Sequence, residues 1–342
     1  ITEVNDKMFD EIKELPKHGI NSIKAFMAYI GSPLHVDDGT LYKVLSESKK
    51  VGLTTFVHAE NGEIIDMLQK DCVKAGHTSP KYHAVSRPPI VETEATRRAL
   101  YYAEELDAPI FIVHVTTKGA TDAIAEAKAK KVRAYGETCT QYLTTTKDVL
   151  SDPDFNEAAK YVCSPALRDQ DDVDAMWDAL NDNTLSAIVS DHCGIDLHEM
   201  KQVGRNNFVD IPNGAPGAAD RINMIWTNGV AKNRITRQKF VEVCSTFPAK
   251  INGMYPKKGV IAVGSDADIV VFDPEYRGVV RLEDNPNGID YNIYEGREQI
   301  GRPEVVLLRG KVVLEDAKFV GELGQGKFIP CEPYAYCYEG RK

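Results

Sequence analysis

Four short apolar runs in this chain each read as a buried strand with, at its C-terminal end, a side chain able to hold a metal ion or move a proton. The runs are SIKAFMAY (22–29), TTFVHAE (54–60), PIFIVHVTT (109–117) and LSAIVSDHC (185–193), and the residues are Lys24, His58, His114 and Asp191. Short apolar runs bounded by turn residues read as strands buried on both faces, which is how parallel sheets are built. In a parallel barrel the C-terminal strand ends converge on one mouth, so residues far apart in sequence meet there. A closed (β/α)8 barrel repeats its strand–helix unit eight times. This chain shows about five units before the rhythm changes, and it opens on Ile1 rather than Met. The expectation is the catalytic part of an enzyme whose opening segment is absent.

Between the runs lie helical periods. Residues 5–17 read as a helix leading to Gly19 and the Lys24 strand. Asp37, Asp38 and Thr40 open a second helix through Lys50, with Leu41, Val44 and Leu45 on one face and Gly52 as the stop. Further helices are expected over 63–75, 92–107 and 119–130, and VRAYGETC (132–139) as a fifth strand. Strand, helix, strand is the βαβ pattern of a parallel sheet. Beyond Asp191 comes a loop containing IPNGAPG (211–217), then helices near 218–232 and 236–246, the second ending before Pro248. From about residue 255 the pattern becomes β-rich, in GVIAVGSDADIVVFDP (259–274) and EVVLLRGKVVLEDAKFV (304–320). The division expected is a partial catalytic barrel over 1–254, a β-sandwich portion over 255–320, and a tail over 321–342 that is either disordered or set at a subunit interface.

Composition narrows the class. The chain has 342 residues, 27% of them charged, with a formal net charge of −10. That balance argues against nucleic acid as a partner. No apolar run approaches the ~20 residues of a membrane span, and no secretory signal opens the chain. Seven scattered cysteines without a C-x-x-C pair suggest free thiols in the cytoplasm.

The chemistry of the four residues has a plain reading and a sharper one. A lone buried histidine is more often a hydrogen-bonded core residue than a ligand, but His58 and His114 occupy equivalent places on successive strands, where two imidazoles can share a metal. Asp191 is either a cap or a third ligand. Lys24 is either the ion-pair partner of Asp191 or Glu60, or an amine held unprotonated by an apolar strand and nearby metal ions. An unprotonated lysine can react with carbon dioxide to give a carbamate, an anionic ligand able to bridge two metals. Spacing alone leaves a metal enzyme and a structural reading evenly matched.

The runs SIKAFMAY, FVHAEN, KYHAVSRPPIVETEA, FIVHVTT, ETCTQYL, CSPALRDQ, SDHC, IPNGAPG and KKGVIAVGSDADIVVFDP resemble the D-hydantoinase and dihydropyrimidinase family of cyclic amidohydrolases, in order and spacing, over essentially the whole chain. The resemblance implies a (β/α)8 barrel, of which strands 4–8 lie in this chain, with a small β-sandwich domain and a homotetramer or homodimer. It implies two divalent metal ions, zinc first, with manganese, cobalt and nickel also accepted by such donors. Lys24 matches the carboxylated bridging lysine, His58 and His114 the pair on the more exposed metal, and Asp191 the aspartate that binds the buried metal and moves protons. Tyr29 matches the tyrosine that steadies the oxyanion. Ser164 and Asn213 match residues whose backbone groups hold the cyclic amide.

The departure is a His-x-His pair on the family's first barrel strand, which has no counterpart here. His18, His35, His77 and His83 fall in loops or near helix ends, His192 follows Asp191, and His198 lies beyond it. The activity implied is metal-dependent hydrolysis of hydantoins or dihydropyrimidines to N-carbamoyl amino acids, with this chain expected to be an incomplete fragment that does not turn over. Two alternatives remain: a non-catalytic dihydropyrimidinase-like scaffold, and another cyclic amidohydrolase such as an allantoinase or dihydroorotase.

Overall fold

The computed structural model describes residues 1–333. Five strands form one parallel sheet in sequential order: β1 (Ser22–Phe26), β2 (Thr54–His58), β3 (Ile110–Ile112), β4 (Ala134–Cys139) and β5 (Ala187–Val189). Each crossover carries helix, as parallel pairing requires. The helices Asp38–Lys50, Gly62–Lys74, Pro89–Leu106 and Lys118–Ala129 fall within a few residues of the expected spans. Asp37 caps the first of these, its carboxylate accepting from the Thr40 amide at 2.7 Å. The helix Gln170–Asn181, between β4 and β5, is one that the periodicity did not single out.

Alternation along the strands sorts the sheet's two faces. Ala25, Val57, Ile110, Ile112, Ala134 and Ile188 point to the helical layer, where they join Leu41, Leu45, Ala99, Ile124, Met176 and Trp177 in one core. The opposite face carries the row Lys24, Phe56, Phe111, Tyr135, paired in register across four strands. Phe111 stacks on Phe56 with centroids 4.5 Å apart. Phe247 and Ile251 close this interior with Phe56, Phe111 and Tyr135.

The helix expected to stop before Pro248 continues through it to Ile251, after a π-helical turn at Glu242–Thr246. The wider turn accommodates a residue that lacks a backbone N–H and crowds the preceding carbonyls. A second π-helical turn, Trp226–Val230, follows the helix Arg221–Ile225.

The β-rich region forms a four-stranded antiparallel sheet of β6 (Ile269–Val279), β7 (Glu298–Leu308), β8 (Lys311–Glu315) and β9 (Lys318–Phe319). The segment between β6 and β7 leaves this sheet: Val280, Tyr291, Ile293 and Tyr294 are buried with Leu150, Val162, Leu197 and Phe208. Part of the tail also packs on its own chain. The Cys331 amide donates to the Gly19 carbonyl at 2.8 Å, and the Asn21 amide donates to the Glu332 carbonyl at 3.2 Å. The rest of the tail expectation, 334–342, lies outside the described residues. Among the described residues the six cysteines are free, and no helix is long and apolar enough to cross a membrane.

Candidate active site

Lys24 is not at a strand end: it is the third residue of β1, one row deeper than His58, the last residue of β2. Its ammonium lies 4.9 Å from the Phe26 ring centroid, a cation–π distance. His114 stands just past the end of β3, and Asp191 just past the end of β5.

The side chains at the mouth meet as follows. The rings of His58 and His114 approach edge to face with centroids 4.4 Å apart, and Tyr29 lies 5.3 Å from His58. Three of the predicted site residues hold left-handed backbone: Tyr29 at φ 64°, His114 at φ 41° and Asp191 at φ 46°. Non-glycine residues adopt that region at a cost, and such residues cluster at functional sites. Each of these residues lies two or three positions past the end of its strand, where side chains must turn into the mouth.

Electrostatics follow from burial. Desolvation drives the His114 imidazole well below its ordinary pKa, helped by the neighbouring His58 and Lys24 charges. Burial pushes the Tyr29 phenol up to about 12, so it remains a hydrogen-bond donor at neutral pH. The Ser164 hydroxyl is near enough to interact with that of Tyr29, though it forms no well-aligned hydrogen bond. Asn213 sits on a loop stitched to the Asp191 segment. The Cys193 amide donates to the Ala215 carbonyl at 3.0 Å, the Gly217 amide donates to His192 Nδ1 at 3.2 Å, and the Gly214 amide donates to the Val162 carbonyl at 3.0 Å.

Four further residues complete the surroundings, among them Glu60, one of the two ion-pair partners expected for Lys24. Glu137, on the interior face of β4, is pushed up to about 8 by burial and feels both the Lys24 and Asp191 charges. Glu60, fully buried, accepts from His58 Nε2 at 2.7 Å and from Arg87 at 2.9 Å. Burial opposes its ionisation, but the Arg87 charge and the His58 hydrogen bond hold its carboxyl far below the usual range. His83, expected in a loop or near a helix end, is buried in a short helix and donates through Nε2 to the Cys163 carbonyl at 2.8 Å. Lys201, also fully buried, donates to the carbonyls of Val162 and Pro212 at 3.0 and 3.1 Å. It thereby ties the Ser164 and Asn213 loops together. Glu60 pairs with His58 and Arg87, and Glu137 and Lys201 gave no local signal, because each reads as a solvated charge until the fold encloses it.

The donor set suits a metal ion in part. His58 has Nε2 committed to a carboxylate, the arrangement that orients a ligating imidazole for use of its other nitrogen. His114 keeps Nδ1 buried without a hydrogen-bond partner, a cost normally offset by a ligand. With Lys24 as a carbamate these residues fit one ion. Among the described residues no three His, Cys, Asp or Glu side chains converge as a metal site, so Asp191 does not join the two histidines in one group.

A family model described as "Amidohydrolase family" matches residues 5–313. The chain is 47% identical over 334 residues to a D-hydantoinase of Ralstonia pickettii, covering 98% of this chain and 72% of that protein. It is 39% identical over 337 residues to a dihydropyrimidinase of Rattus norvegicus, covering 98% of this chain and 64% of the relative. A solved D-hydantoinase structure superposes with a TM-score of 0.95 at 47% identity, over 98% of this chain and 72% of that one.

Proposed function

The chain belongs to the amidohydrolase family, alongside its D-hydantoinases and dihydropyrimidinases, and on that premise we propose that it hydrolyses the cyclic amide bond of hydantoins or dihydropyrimidines to N-carbamoyl amino acids. The observation that carries this reading is the convergence of Tyr29, His58 and His114, with Lys24 one row below, at the C-terminal edge of a parallel sheet. Members of this family are generally binuclear metal enzymes with a carboxylated lysine. In this chain Lys24, His58, His114 and Asp191 are the residues that would hold the ions, zinc being the first choice. Such ions supply Lewis acidity toward a carbonyl and acidify water.

The chain's own residues do the rest. Tyr29, buried and protonated, donates its phenolic hydrogen to the oxygen that gains charge as the ring carbonyl becomes tetrahedral; a donor so placed is commonly worth about 3–4 kcal/mol. Asp191, part-exposed at the mouth, accepts the proton of the attacking water and returns it to the leaving ring nitrogen. Backbone groups of Ser164 and Asn213 hold the cyclic amide, on two loops joined through Lys201. The free cysteines support work in the cytoplasm, with a homotetramer or homodimer as the assembly and a small cyclic amide as the only other partner. The division into a partial barrel over 1–254 and a β-sandwich portion over 255–320 belongs to the same proposal.

The test is ring opening of hydantoin, dihydrouracil, allantoin and dihydroorotate, followed by chromatography of the products, together with metal analysis. Hydantoin or dihydrouracil should open, with Lys24→Ala losing both turnover and bridging metal; metal binding without turnover in the unmodified chain would bear out the expectation of an incomplete site. Preferential opening of allantoin or dihydroorotate would reassign the substrate. Full activity and metal content in Lys24→Ala would refute the site.

A further inference from the structure

Beneath the mouth lies a buried set of charged side chains that the proposed reaction does not use. Glu60, Arg87, Glu92 and Arg168 are each at most 4% exposed, and the two positive and two negative groups balance. Glu60 Oε2 accepts from both His58 Nε2 and Arg87. The Arg87 carbonyl accepts from Arg168, whose other nitrogens donate to Glu92 at 3.1 Å and to the Thr116 hydroxyl at 2.9 Å. Glu92 in turn accepts from the Thr116 amide at 2.7 Å and from the Thr116 hydroxyl. Thr116 is two residues beyond His114, on the segment that follows β3. The chain of contacts therefore starts on the ring of His58 and ends on the backbone that aims His114.

Burying four charges costs more than a surface ion pair returns, so their presence beneath the His58 and His114 imidazoles calls for a role other than bulk stability. Arg168 suits that role because only a guanidinium supplies donors in three fixed directions at once, here to Arg87, Glu92 and Thr116. We propose that Arg168 and Glu92, which touch neither imidazole, are positioning residues. They lock Arg87 and Thr116 and so fix both histidines, His58 with its proton on Nε2 and its Nδ1 lone pair free, His114 by the path of its backbone. The inference rests on reading those histidines as metal ligands, and it assigns their preorganisation to an element buried behind them.

The experiment uses the full chain with 15N-labelled histidine, without metal and then titrated with Co²⁺. Long-range 1H–15N spectra of the unmodified chain should show His58 as a single Nε2–H tautomer. Arg168→Gln, Arg168→Lys and the near-isosteric Thr116→Val should each broaden His58 into a tautomer mixture and weaken Co²⁺ binding by about 10–100-fold. The exposed-pair control Arg97→Gln should change neither. Lysine does not rescue, since one ammonium cannot reproduce three directed bonds. If a folded Thr116→Val or Arg168→Gln chain keeps the unmodified His58 spectrum, the positioning role is wrong. Should Arg168→Gln fail to fold, Thr116→Val decides. A chain whose tautomer responds to these variants but which binds no Co²⁺ would retain the network and overturn the metal reading instead.

Discussion

Ile110, Phe111 and Ile112 are sealed from solvent along the whole of β3, whereas Val270 and Val271, adjacent apolar residues on β6, stand about half exposed, at 53% and 47%. Neighbouring strands are paired by backbone hydrogen bonds in both sheets, so the difference is not one of pairing alone. It lies in what covers them. The parallel sheet has helices on one face and its own aromatic row, closed by Phe247 and Ile251, on the other. The antiparallel sheet leaves Val279, Val312 and Phe319 exposed as well. The candidate site lies in the first region, where burial shifts the titrating groups His114, Tyr29 and Glu137 and makes placed donors count.

The comparison predicts a steep difference in mutational cost. Phe111→Ala should destabilise the chain by about 3–5 kcal/mol in urea titration, because it removes a fully buried ring stacked on Phe56. A cost near 1 kcal/mol would mean that the interior of the parallel sheet is loosely filled. Tyr29→Phe should leave stability nearly unchanged while lowering kcat by about 100- to 1000-fold with little change in KM. An unchanged kcat would remove Tyr29 from the reaction.

His83 sharpens the comparison through pH. Burial, with the Arg87 charge second, pushes its imidazole down to about 3. A lowered folded pKa means that the contribution is fully present above the unfolded value of about 6.5. It is lost as pH falls from there toward 3, at about 1.4 kcal/mol per pH unit. Denaturation midpoints of His83→Gln measured between pH 7 and pH 4 should therefore fall less steeply than those of the unmodified chain. An unchanged slope would place the acid sensitivity elsewhere. The smallest effect is expected on the open sheet, where Val271→Thr keeps the β-branched shape at a half-exposed site and should stay within about 0.5 kcal/mol. A loss of 2 kcal/mol or more would show that this face is covered in solution.

Much of the parallel sheet was legible in local pattern. Runs such as TTFVH and PIFIV are short, rich in β-branched or aromatic residues, and bounded by turn residues, which favours strand, and the Asp37 cap and the stripe of Leu41, Val44 and Leu45 marked their helix plainly. Pro248 misled because the rule that proline ends a helix ignores a π-helical turn ahead of it. Lys24 was placed one row too high because a strand run does not reveal where pairing begins. Glu137 and the Glu60–Arg87–Arg168–Glu92 set escaped for a different reason. Arg168 lies 81 residues from Arg87 and 76 from Glu92, and nothing in the sequence around either end distinguishes a buried charge from a solvated one.

By itself the sequence determined most of the strands and helices, and that His58, His114 and Asp191 stand at one edge of a parallel sheet, because periodicity and strand direction are local properties of the chain. Only the tertiary structure decided which charges are buried together, which imidazole nitrogen is committed to a carboxylate, and which residues take left-handed backbone at the mouth. Those depend on exclusion of water: a charge enclosed by the fold must find its partner among whatever the returning chain brings near, and that is a property of the packed molecule.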